Sequence, residues 1–133
     1  MDTLYVADTA GNRIVAIQDP SNVAAGAVTL GASGVTAGPA SVVYSGAPLA
    51  GPASITSTID GNLVVANNGA SGNLLVELTK AGKLVGTLDP IALGGKTSPG
   101  GQIVTAVATM GSAGQQLIYF TDDSDGTVKV LSP

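Results

Sequence analysis

Apolar residues recur along the chain in short runs, each broken by a turn rich in Asp, Asn and Gly. Leu4-Tyr5-Val6-Ala7-Asp8 passes through Thr9-Ala10-Gly11-Asn12 into Arg13-Ile14-Val15-Ala16-Ile17. Leu63-Val64-Val65-Ala66-Asn67 passes through 68–72 into Asn73-Leu74-Leu75-Val76-Glu77-Leu78, and Leu117-Ile118-Tyr119-Phe120-Thr121-Asp122 through 123–126 into Thr127-Val128-Lys129-Val130-Leu131. Such turn residues accept positive φ or bond their own backbone, as hairpins require. Each run therefore predicts one β-hairpin.

The flanks lengthen the unit. Ser54 to Ile59 alternates before Asp60-Gly61-Asn62, and Lys80-Ala81-Gly82-Lys83 turns the chain into Leu84 to Leu88. The middle unit thus predicts four antiparallel strands at about 53–59, 62–67, 73–79 and 83–88. Gln102 to Thr109, with a turn at Gly111 to Gly114, takes the same place before Leu117. A repeated four-strand meander is the blade of a β-propeller. The expectation is all-β: a single partial propeller domain over 1–133, with blades at about 3–45, 53–88 and 102–132 and about ten strands, three, four and three. Two insertions stretch the spacing. Asp19 to Ala40 reads as an extended loop between the third and fourth strands of the first blade, and Asp89 to Gly101 links the second blade to the third.

Composition agrees with many strands and turns. Of 133 residues, 19 are Gly and only 11% are charged, and Gly and β-branched residues are poor helix formers. The net charge of −4 and five scattered basic residues argue against a nucleic-acid groove, which needs clustered cations. With no Cys and no His, disulfides, His- or Cys-ligated zinc and His-based catalysis are all excluded. No apolar run is long enough to cross a bilayer, so no membrane insertion is expected, and Met1-Asp2-Thr3 does not open a signal peptide.

LYVADTAGNRIVAI resembles the NHL repeat, whose "YVAD" strand leads into a G-N-R-I turn and a second strand. PASITSTIDGNLVVANNGASGNLLVEL resembles the same repeat with its first strand included, and QLIYFTDDSDGTVKVL is a weaker third copy. VVYSGAPLAGPASI is similar to the C-terminal part of secreted bacterial NHL-repeat proteins. The resemblance implies an extracytoplasmic bacterial module and a ring of six blades, of which three make half. A homodimer, or further blades, would complete it. The middle copy departs from the pattern, with Asn67 in place of the hallmark Asp and no Arg after its turn.

Chemistry-bearing residues are few. Asp122-Asp123-Ser124-Asp125-Gly126 is the densest acidic cluster, but with Gly126 as sixth position an EF-type calcium loop would have Thr121 first and Ser132 twelfth, so that pattern fails. Asp8, Asn67 and Asp122 share one place at the strand ends. They either cap their hairpin turns or line a ligand-gripping mouth. On the second reading Asn67, Asn68, Asp122 and Asp123 are the candidate ligand-binding residues. The sole Glu, Glu77, falls on an outer strand, and aromatics make up only 3%, too few for a stacking sugar site. No cofactor and no catalytic residue is expected. The function expected is non-catalytic protein or small-ligand binding or scaffolding; the alternative is part of a lactonase-like propeller hydrolase whose site other blades complete.

Overall fold

The computed structural model describes residues 1–68, 75–89, 106–112, 114–123 and 126–132. They form an all-β chain of twelve strands in four small antiparallel sheets, none of which closes on itself. The first sheet has the order β1 (Thr3–Asp8), β2 (Arg13–Gln18), β5 (Ala40–Ser45). The second is the meander β6 (Pro52–Ser57), β7 (Leu63–Asn67), β8 (Leu75–Leu78), β9 (Leu84–Leu88), and the third is β10 (Val107–Ser112), β11 (Gln115–Asp122), β12 (Thr127–Leu131). Three, four and three strands are what the hairpin pattern predicts.

The remaining two strands correct the expectation for 19–40. That insertion is not one extended loop: it holds a 3-10 turn at Pro20–Asn22 and a hairpin of β3 (Thr29–Gly31) and β4 (Gly34–Ala37). Gly38 makes the return possible, because its φ is +94 and a Cβ there would overlap the Ala27 carbonyl oxygen. A second difference lies at the third unit, where β10 runs on through Ser112, pairing with Gln115, and shortens the turn expected at 111–114. The second insertion beyond Asp89, most of the turn at 68–72 and the segment 102–105 lie outside the described residues.

Packing follows from strand alternation, since successive side chains point to opposite faces. On β7, Leu63 and Val65 enter a core with Ile14, Leu49, Val76 and Leu78, against which Tyr5, Ala7 and Tyr44 of the first sheet pack. Val64 and Ala66 enter a separate core with Leu75, Val107 and Phe120, joined by Ile118 and Leu131 of the third sheet. The second sheet is therefore covered on both faces by its neighbours, and every residue of β7 is buried. This explains why β7 reads as an unbroken apolar run rather than an alternating one. Each of Leu63, Val65, Val76 and Leu78 contributes about 1.5–3 kcal/mol by leaving water.

The contacts keep one polarity. Tyr5 and Ala7 of the first sheet face the second, and their repeat equivalents Val64 and Ala66 face the third. Thus a forward face of each sheet covers a backward face of the next. The first strands of the second and third sheets meet through a hydroxyl instead, Thr109 Oγ1 donating to the Ser57 carbonyl at 2.6 Å, and beyond β6 the Ile59 N–H donates to Gln116 Oε1 of β11 at 2.7 Å. At the first interface the turn after β8 seats on β5. Gly82 has φ +81 and its α-carbon approaches Val43 so closely that any Cβ would overlap the Val43 carbonyl, so only Gly suits the position.

Candidate functional site

The strand-end positions that the repeat aligns are satisfied in three different ways, Asn67 and Asp122 buried and Asp8 half-buried. Asp8 closes its own turn, as the capping reading expects: its carboxylate accepts from the Gly11 N–H at 2.9 Å and from Arg13 Nε at 2.7 Å. Asp8 and Arg13 are also direct cross-strand partners, and Arg13 Nη2 donates onward to the Gly31 carbonyl of the insertion hairpin at 2.8 Å. The Gly11 amide, followed by Arg13, outweighs burial and holds the Asp8 carboxyl below its ordinary pKa.

That shift has a sign in stability. A depressed folded-state pKa means the unfolded chain binds protons first as pH falls, so Asp8 stabilises the fold above about pH 4 and this is lost as pH drops through the folded value. Asp8→Asn is expected to flatten the fall in Tm on acidification over that range; a thermal scan by circular dichroism against pH reads it.

Asn67, wholly buried at 0% exposure, does not cap its turn by any bond seen among the described residues. It reaches back across the sheet interface: Nδ2 donates to the Pro48 carbonyl at 2.7 Å, and Oδ1 accepts from the Ala50 N–H at 2.6 Å. Asn12 grips the same linker from the other side, with Nδ2 donating to the Leu49 carbonyl at 2.8 Å and Oδ1 accepting from the Gly51 N–H at 3.0 Å. Thr9 Oγ1 adds a bond to the Pro52 carbonyl at 2.6 Å. Residues 48–52 thus cross between sheets with their backbone groups bound by side chains from both. The middle unit has no Lys or Arg from 68 to 79, so a neutral amide stands where the flanking units place a carboxylate.

Asp122 is 1% exposed and ion-paired with Lys129 across the third hairpin, while its backbone carbonyl accepts from the Gly126 N–H at 3.0 Å. Asp123 beside it is exposed. The Asn68 N–H donates to the Gly51 carbonyl at 2.9 Å, and its Oδ1 is buried without a hydrogen bond among the described residues. Of the four candidates, Asn67 and Asn68 lie together beside the linker; Asp122 and Asp123 belong to the third sheet.

Elsewhere, a cleft of about 360 Å³ between the second and third sheets is lined by Thr58, Asp60, Glu77, Leu88, Gln116 and Leu131. Glu77, on the third strand of its sheet, accepts from Asn62 Nδ2 at 2.8 Å. Among the described residues no cluster of three or more acids could hold a metal ion, and no helix is long and apolar enough to cross a membrane. In the sequence pattern Asn12 is only part of a turn, because its partners lie 37 and 39 positions away, beyond any local signal. Compared with known proteins, the chain matches no family model, no curated protein and no solved structure.

Proposed function

We propose that the chain is a non-catalytic β-propeller module of NHL-type repeats, used for binding or scaffolding, whose run of sheets is continued by a second copy or by further blades. The observation that carries this is how the repeat's polar positions are used. The side chains of Asp8, Asn67 and Asp122 each meet an internal partner, Arg13, the 48–50 backbone and Lys129 respectively. Groups spent on closing their own hairpins, or on holding the linker between sheets, are poor candidates for gripping a substrate. The one-way stacking of forward onto backward faces supports the propeller arrangement, in which each blade packs on the next.

The test is thermal unfolding of the full chain with calcium, magnesium or zinc added. No shift in Tm is expected. A rise of several degrees that Asp123→Asn abolishes would instead support the lactonase-like reading, with a cation held near Asp122 and Asp123.

A further inference from the structure

The two end sheets differ in what covers their outward faces. On the first sheet the backward face carries Leu4, Val6, Asp8, Arg13 and Val15, the positions that in the second sheet lie against a neighbour. Here the chain's own β3–β4 hairpin takes that place over β2 and β5. Arg13 Nη2 bonds to Gly31, a Cβ at Gly34 would stand 3.7 Å from Val42 Cγ2, and Val15 is buried. The third sheet has no such cover among the described residues. Its forward face presents Ala108, Met110, Leu117, Tyr119, Val128 and Val130, with Met110 64%, Val128 67% and Val130 53% exposed. Tyr119 holds the repeat position of Tyr5 and Val64, both of which pack against the following sheet.

We propose that this forward face of the third sheet is an interaction surface for a second copy of this chain, docked through the same face about a two-fold axis. Three observations select that partner. The face is apolar like the internal sheet-on-sheet interfaces, so what fits it is another apolar sheet face, and with the backward face of the first sheet partly covered by the hairpin, that is the same face of a second copy. Among the described residues it carries no charged side chain, so two copies of a chain of net charge −4 meet there without like charges opposed. The hairpin over the first sheet obstructs a head-to-tail contact between copies. On the first sheet Leu4 of β1 stays 48% exposed beside the hairpin, so among the described residues the forward face of the third sheet is the one wholly uncovered end, which favours an isologous contact that closes after two. The proposal rests on the stacked-repeat reading, and the Leu4→Lys arm of its test separates failure of this contact from failure of that reading.

Sedimentation equilibrium of the full chain, from low to high micromolar concentration, is the test. A reversible monomer–dimer equilibrium is expected. Val128→Lys and, separately, Met110→Lys each weaken it by about 100-fold or more, since a buried unpaired ammonium costs several kcal/mol. Both sites are exposed in the single chain, so its far-ultraviolet circular dichroism stays unchanged. Leu4→Lys, on the backward face of the first sheet, leaves the dimer intact. A folded chain that stays monomeric throughout overturns the proposal, as does a dimer indifferent to both Val128→Lys and Met110→Lys. A dimer weakened equally by Leu4→Lys and Val128→Lys is a head-to-tail ring, which overturns this contact while supporting the propeller reading.

Discussion

Asn67→Asp is expected to cost about 4 kcal/mol at neutral pH, more than Asn67→Ala at about 2–3 kcal/mol, although the flanking repeats carry Asp at that position. Alanine leaves the Ala50 N–H and the Pro48 carbonyl without partners at a site that is 0% exposed. Aspartate keeps the bond from Ala50, but turns the group facing Pro48 from a donor into a second acceptor. Its charge is buried with no cation such as Arg13 or Lys129 opposite. Burial raises the folded-state pKa of such a carboxyl, so the folded variant binds a proton that the unfolded chain does not. Its stability therefore rises as pH falls through that raised value. Protonated, the acid again donates to Pro48. Urea unfolding followed by circular dichroism at neutral and mildly acidic pH measures both effects. An Asn67→Ala variant as stable as the parent would show that the linker bonds do not hold the interface, and an Asp variant no less stable than Ala that the buried charge is not the dominant cost.

The same residue marks where sequence reading reaches and where it stops. Hairpin existence and strand count in the three units follow from apolar runs and turn residues, because both signals are local. β7 even discloses that both its faces are buried, through the unbroken Leu63-Val64-Val65-Ala66 run. The Asp8–Arg13 pair spans one turn and sits within the repeat's own signature. By contrast, Asn67 and Asn12 bond to a linker that neither adjoins in sequence, so local spacing shows Asn67 only as a turn cap or a ligand contact and Asn12 only as a turn residue. The β3–β4 hairpin was hidden for a different reason. Its strands are three and four residues long, with only Leu30 and Val35 as large apolar residues among Thr, Gly and Ala. Its stability comes from docking on the first sheet, which no local pattern records.

That docking depends on one side chain, and Arg13→Met should reveal it. Arg13 is buried and bonded at two places, to Asp8 Oδ2 and to the Gly31 carbonyl. Methionine keeps the apolar stem but strands a carboxylate whose own side chain is only 14% exposed. Removing one partner of a fully buried pair costs about 3–5 kcal/mol because the other charge stays buried; Asp8 is half-buried and keeps its bond from Gly11, so a loss of about 2–3 kcal/mol is expected. Asp8→Asn in the Arg13→Met background should recover roughly 1–2 kcal/mol, since a neutral amide still accepts from Gly11 without a stranded charge. Recovery of global stability should not restore the hairpin, because Gly31 still lacks its donor. Proteolysis within 19–38 is thus expected to be faster in both the single and the double variant than in the parent chain. A double variant as resistant as the parent would mean that β3 and β4 are held by their packing on Val42 alone, and that the guanidinium serves only Asp8.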